Sequence, residues 1–201
     1  VDAEVELGLL RESKQTLLTE RELNSPQNVL KSRGEHQLNK KSLKSDLKKT
    51  TAFVKKIKNI TTEGIQQCVR DTETLNLNLY ISEIVTAILE INFKATEVPM
   101  ITKLSVCLHR RYEEFTDPLI MGLKSNIFTS DGNGDPKKKR IQIRLLIELF
   151  NVGIFLEEQF FIQIIRYLLG KRKTTNAAEN EIIAKVAIHK KNADLQGFSV
   201  F

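Results

Sequence analysis

The sequence predicts an all-α protein: a HEAT- or armadillo-like solenoid of antiparallel helical hairpins, preceded by an extended N-terminal helical segment. Three observations carry that expectation. The first is composition. Hydrophobic residues make up 41% of the 201, with only four prolines, nine glycines and no tryptophan, a balance that favours helices and allows a sizeable core. The second is periodicity, because apolar residues recur at helical spacing in one segment after another and no stretch alternates convincingly as a strand does. The third is spacing. Periodic segments near 77 and 97, 117 and 137, and 157 and 177 pair into units of about 40 residues, the length of a stacked helical hairpin. A four-helix bundle with additional helices is the rival arrangement.

Taken in order, 2–22 reads as a helix whose apolar stripe (Val5, Leu9, Leu23) is thin for its length, so it leans on a neighbour or stands partly free. Ser25-Pro26 breaks it, and 29–41 reads as a basic connector. Helix 42–59 follows. At about 100° per residue Leu43, Leu47, Phe53, Val54, Ile57 and Ile60 fall in one arc roughly 140° wide, with Asp46 at the N-terminal turn as a cap or dipole partner. Thr61-Thr62-Glu63 opens a short helix to about 70. Ile81, Ile84, Val85, Ile88 and Leu89 give 77–91 its stripe, and Val98, Ile101, Leu104, Leu108, Tyr112 and Phe115 give 97–115 the next. Asp117-Pro118 starts a helix to 128, and 129–136 is an exposed Gly/Asn/Asp loop. Helix 137–152 closes at Gly153, helix 157–169 at Gly170, and 177–189 is the last. By domain, 1–42 reads as a helical, basic and partly flexible extension. Residues 43–201 read as the helical-repeat domain, cut short at its C-terminus within a larger protein.

Charge is concentrated. From Lys31 to Lys58 ten Lys/Arg stand against two Asp/Glu, while the first thirty residues carry three basic and six acidic groups. Helix 42–59 therefore docks by its apolar arc and shows lysines elsewhere. Lys44, Lys48, Lys49, Lys55 and Lys56 fall outside the arc, and Lys58 lies on its rim. A lysine face is ordinarily a solvated face. Its sharper meaning is a surface for an acidic partner or a phosphate backbone, and charge alone does not choose between them.

Catalytic patterns are missing from the sequence: no phosphate-binding glycine loop, nucleophile elbow or H-E-x-x-H occurs. Cys107 and His109 are two residues apart, roughly 200° around a helix, and so face different ways rather than forming a nucleophile–base pair. Cys68 and Cys107 make neither a disulfide framework nor a zinc pattern and point to a reducing compartment, where the sequon at Asn59 is idle. Asp131, Asn133 and Asp135 match a calcium loop, but Pro136 and Gln142 stand where its glycine and bidentate glutamate belong. Lys137-Lys138-Lys139-Arg140 resembles a localisation run or a phosphate contact, with a solvated loop edge as the plain alternative. No apolar run reaches about 18 residues, the length needed to span a membrane. We expect no catalytic, cofactor-binding or metal-binding residue, no cofactor, no membrane association and no small-molecule substrate.

Several stretches carry a resemblance. Leu47-Lys48-Lys49-Thr50-Thr51-Ala52-Phe53-Val54-Lys55-Lys56-Ile57-Lys58 resembles the opening helix of the first middle domain in the second up-frameshift family of nonsense-transcript regulators. Leu75-Asn76-Leu77 with Tyr80-Ile81-Ser82-Glu83, His109-Arg110-Arg111-Tyr112 with Phe115, and Glu148-Leu149 with Val152-Gly153-Ile154-Phe155 follow in the same order. The match spans roughly 43–169. It implies the fold of the middle domain of initiation factor 4-gamma, and a non-enzymatic scaffold in nonsense-mediated mRNA decay. The family's assigned contacts lie in other domains, so no binding residue transfers here. The loop at 130–136 and the ending after 184 depart from the family pattern.

The resulting expectation is a cytoplasmic, partly perinuclear scaffold that meets protein partners of the mRNA surveillance complex through the full-length protein. Weak, sequence-independent RNA binding would use Lys40, Lys41, Lys44, Lys48, Lys49, Lys55 and Lys56. The alternatives are a generic translation-initiation-type middle domain that recruits a DEAD-box helicase, and an enzyme whose site has no recognisable motif.

Overall fold

A computed structural model describes residues 3–39, 43, 46–59, 61–128 and 135–170. Its α-helices are α1 (Ala3–Leu23), α2 (Pro26–Asn39), α3 (Leu47–Lys58), α4 (Thr62–Thr74), α5 (Ile81–Glu90), α6 (Val98–His109), α7 (Thr116–Phe128), α8 (Pro136–Asn151) and α9 (Glu158–Gly170). No strand occurs among the described residues. The chain divides into two compact units, Val1–Leu156 and Glu157–Phe201. Within the first, α3, α5 and α7 lie side by side in one layer and α4, α6 and α8 in a second, with α3 on α4 and α7 on α8 closing the layers onto each other. This is the stacked two-layer arrangement of a HEAT-like solenoid. In the second unit, α9 has Phe160 and Ile164 buried.

Local chemistry sets where the helices begin. Asp46 caps α3 by accepting from the Lys49 N–H at 3.1 Å, and Thr61 caps α4 by accepting from the Gly64 N–H at 3.0 Å. Asp135 caps α8 in front of Pro136, accepting from the Lys137 N–H at 2.9 Å. Each cap satisfies a donor that the first helical turn leaves without a partner. Before α6, the Glu97 carboxylate reaches back to the Lys94 N–H at 2.7 Å.

The apolar stripes of α5 and α6 form the centre of the core. Ile81, Ile84, Val85 and Ile88 are buried, as are Val98, Ile101, Leu104 and Leu108. Both helices are shorter than the periodicity suggests. Asn78–Tyr80 is a single 3-10 turn before α5. The chain leaves α6 at His109, so Tyr112 and Phe115 are buried from a turn and a 3-10 segment rather than from the helix.

Other local readings are corrected. Leu47, placed in the apolar arc of α3, is 67% exposed, and Thr50 joins Phe53 and Ile57 on the buried side. Thr50 is accommodated there because its hydroxyl donates to the Asp46 carbonyl at 3.0 Å. The stretch read as a basic connector is the helix α2. Its face buries Val29 alone fully, with Ser32, Arg33 and His36 half-buried, too little apolar surface for a periodicity argument to detect. Helix α1 is exposed from Glu4 to Thr19 and becomes half-buried only at Glu20. The loop at 129–134, the basic run 171–173 and the helix expected at 177–189 lie outside the described residues.

Truncating Phe53 to Ala, fully buried, should cost about 3–5 kcal/mol of unfolding free energy, and Asp46→Ala about 1 kcal/mol. Leu47→Ala should stay within about 0.5 kcal/mol, as exposed substitutions do. Urea denaturation of the three variants measures this, and a large loss at Leu47 would contradict the α3 orientation.

Candidate functional site

The lysines of α3 divide by environment. Lys48, Lys49, Lys55 and Lys58 are exposed. Lys56 is half-buried and donates to the Asp71 carboxylate on α4 at 3.2 Å, and Asp71 also accepts from the Gln67 amide at 2.8 Å. Lys56 therefore ties α3 to α4. Lys40, Lys41 and Lys44 lie outside the described residues. The positive face does not run on across its layer, because the neighbouring α5 turns Ser82, Glu83, Thr86 and Glu90 to solvent.

The basic run opening α8 has a local use that its sequence does not disclose. The Lys138 ammonium donates to the Glu90 carbonyl at 3.1 Å, and the Gln142 amide approaches the Leu89 carbonyl at 3.4 Å. Both groups thus satisfy carbonyls at the C-terminus of α5, where a cation is also favoured by the helix dipole. Those carbonyls are roughly fifty residues away along the chain, so local pattern reading cannot connect them.

Parts of three of the four stretches that carry the family resemblance meet at one edge of the solenoid; the fourth is α3, which packs on α4 and α5 instead. Tyr112 is buried, its hydroxyl accepting from the Leu77 N–H at 3.1 Å and donating to the Leu75 carbonyl at 3.3 Å. His36 of α2 meets its ring edge-on, centroids 5.0 Å apart. Arg111 donates to the Thr72 hydroxyl at 2.8 Å and lies 3.7 Å from Glu73. Arg110 reaches α1, with Nε on the Asn24 amide oxygen at 2.8 Å and Nη2 on the Glu20 carboxylate at 2.7 Å. Asn24, itself buried, donates to the Val152 carbonyl at 2.7 Å. Arg21 donates to the Phe150 carbonyl at 3.1 Å and stacks over the Phe150 ring. Arg33 donates twice to the His109 carbonyl. Gly153 sits at φ +82°, and a Cβ there would lie 2.9 Å from Arg21 Cγ, so backbone and neighbour both disfavour a side chain there. The H-R-R-Y and V-G-I-F stretches are the parts that hold α1 and α2.

Groups with chemical potential are held inert. Cys68 is buried with its thiol against the Phe53 carbonyl, and burial pushes its pKa up to about 12. Burial also raises the Cys107 thiol. The His109 imidazole is pushed down to about 4 by burial, with Arg33 and Arg110 adding to the shift and Asp117 opposing it. Its Nδ1 pairs with the Thr116 hydroxyl at 2.7 Å, while Nε2 is buried without a hydrogen-bond partner. Among the described residues no His/Cys/Asp/Glu group could hold a metal, and no helix is long and apolar enough to cross a membrane.

Comparison with known proteins places this architecture. The chain is 33% identical over 175 residues to the regulator of nonsense transcripts UPF2 of Arabidopsis thaliana, a match covering 83% of this chain and 15% of that protein. It is 36% identical over 119 residues to the human regulator of nonsense transcripts 2, covering 58% of this chain and 9% of that one. Its fold is similar to the crystal structure of the first MIF4G domain of the human nonsense mediated decay factor UPF2. That likeness has a TM-score of 0.59 at 25% identity, covering 89% of this chain and 63% of that domain. No family model matches the chain. The chain thus spans only a small fraction of the curated relatives' length.

The buried histidine makes stability depend on pH. Unfolded, it titrates near 6.5; folded, near 4. Between these values the unfolded state binds the proton and the folded state does not, so stability falls as pH drops through that window and is unaffected above it. The full effect is about 3 kcal/mol. His109→Gln, which keeps a polar group beside Thr116, should flatten the decline between pH 7 and 4.5 in urea titrations; an unchanged slope would mean the ring protonates freely in the folded state.

Proposed function

We propose, for a chain that belongs to the MIF4G-domain family of the UPF2 regulators of nonsense transcripts, the role of a non-enzymatic scaffold in nonsense-mediated mRNA decay. One observation carries the reading: three of the four stretches that resemble that family contribute to the edge where Tyr112, Arg110 and Gly153, together with Asn24, lock the N-terminal helices to the solenoid. They build a rigid body rather than a reaction centre. The buried Cys68 thiol and the enclosed His109, whose imidazole burial favours in the neutral form, agree with a protein that does no chemistry of its own. The partners are proteins of the mRNA surveillance complex, met through the full-length factor. The compartment is the cytoplasm, including its perinuclear part.

RNA contact belongs to the same proposal. The exposed ammonium groups of Lys48, Lys49 and Lys55 form a phosphate-binding strip; Lys40, Lys41 and Lys44, expected from the sequence to join them, lie outside the described residues. Lys56 contributes only the charge left over from its pair with Asp71. With no aromatic platform beside these lysines, binding is sequence-independent and falls steeply with salt.

The two parts are tested separately. For RNA, Lys48→Glu with Lys49→Glu and Lys55→Glu should lower the binding of a labelled single-stranded RNA and reduce its log–log salt slope by about 2, at about 0.7 per lost phosphate contact. Binding that survives all three reversals removes RNA from the role. For the scaffold, Asn24→Ala with Arg110→Ala in the full-length factor should raise the level of a reporter transcript carrying a premature stop codon. A matched reporter without that codon should not move. Equal reporter levels in mutant and wild type would separate this edge from decay.

A further inference from the structure

We propose that the groove between α4 and α6 is a docking site for a short acidic, apolar peptide segment of a partner protein. The groove holds about 400 Å³, the lower end of the roughly 300–1,000 Å³ range of ligand-sized clefts. It lies in the second layer, which the α3 lysines do not share, and does not depend on the RNA reading above. Ile65 and Val69, one turn apart on α4, face Pro99 and Met100 in the first turn of α6. Pro99 is exposed, Val69 and Met100 are half-exposed and Ile65 is buried, so a short apolar patch is open to solvent between the middle of α4 and the first turn of α6. Methionine adapts its shape to an incoming side chain more readily than branched residues do.

Charge at the rim selects the occupant. Arg70 and Lys103 both line the groove and both are exposed. Among the described residues neither engages a carboxylate: Arg70 directs Nε and Nη2 to the neutral Gln67 amide oxygen at 3.2 and 2.8 Å, and Lys103 makes no ion pair. No acidic residue lines the groove. The exposed carboxylates of α4 that flank it are Glu63 and Glu73, and Glu73 is turned toward Arg111. An apolar floor between two uncommitted cations matches a helical or extended peptide that inserts one or two large apolar side chains and lays its carboxylates on Arg70 and Lys103. RNA fits less well, because the lining has no aromatic ring on which a base could stack and only two cations to follow a backbone.

The experiment uses the intact chain and four labelled probes. These are a twelve-residue peptide with leucines at helical spacing among glutamates, its twin with lysines for glutamates, a glutamate–serine peptide without leucine, and poly(U). Fluorescence anisotropy reads affinity, and amide shift changes in isotope-labelled protein read position. The leucine–glutamate peptide should bind, shifting amides of 65–70 and 99–103. Arg70→Glu with Lys103→Glu should weaken it about tenfold, on the scale of two lost surface charge contacts. Lys103→Gln should weaken it less, and Lys48→Glu with Lys55→Glu should leave it unchanged. All these positions are exposed, and thermal melts check that each variant folds. The proposal is overturned if the leucine–glutamate peptide does not bind, or if either other peptide binds as well. It is equally overturned if affinity follows the α3 lysines, or if poly(U) occupies the groove in the peptide's place.

Discussion

The buried hydroxyl of Tyr112 is the constraint on which the arrangement of the first unit turns. A tyrosine enclosed in a core must find partners for its hydroxyl or lose most of what its ring contributes. Here the partners are the Leu77 N–H and the Leu75 carbonyl, backbone groups of the link between α4 and α5. One side chain thus binds the turn that follows α6 to the turn that follows α4. The register between successive hairpins is set by that bond and by the burial of Leu75 and Leu77 beside it. The flanking residues extend the constraint outward. Arg111 holds Thr72 at the end of α4, Arg110 holds Asn24 and Glu20 on α1, and His36 closes over the tyrosine ring from α2. A run of four residues therefore distributes its contacts to α1, α2 and α4.

Much of this fold is legible from pattern, and the limits of that legibility are physical. The stripes of α5 and α6 are continuous and buried, so periodicity finds them but overstates their lengths. Asp46 and Thr61 announce helix starts because capping is local, whereas Asp135, read as part of a loop, also caps a helix. Helix α2 is missed because only Val29 is fully enclosed; the half-buried Arg33 and His36 work through a hydrogen bond to the His109 carbonyl and a ring contact. Leu47 is misplaced because an arc drawn on a helical wheel ignores where the partner helices end. Its neighbour Thr50 lies outside a hydrophobicity count, yet it is 1% exposed with its hydroxyl satisfied inside its own helix.

The candidate surface is less legible than the fold for a related reason. Charge runs look alike in sequence whether their groups end in water, against a carboxylate or on a helix terminus. Lys56 and Lys138 lie in runs of similar appearance. Lys56 closes onto Asp71 and Lys138 onto the carbonyl end of α5, and these contacts span 15 and 48 residues. What remains for a phosphate backbone in the described part of α3 is a shorter strip, bounded by the carboxylates that α5 presents beside it. On the proposed reading such a strip would supply a few salt-sensitive contacts rather than a continuous track, which would restrict any phosphate binding to weak and unselective contact.

Many of the positions that mark the family face inward, the exposed lysines of α3 excepted, and this bears on where any specificity resides. Tyr112, Arg110, Gly153 and the apolar residues around them are committed to the solenoid and to the N-terminal helices. Among the surfaces left outside are the α3 lysines on one layer and the α4–α6 groove on the other. The layers differ in kind. The first offers charge alone, which attracts any polyanion and discriminates poorly. The second combines an apolar recess with two cations, and a recess adds shape to charge, so that a ligand lacking either property gains little. If this domain distinguishes one partner from another, the physical means for doing so lie at Val69, Met100, Arg70 and Lys103, residues that its most recognisable motifs do not include.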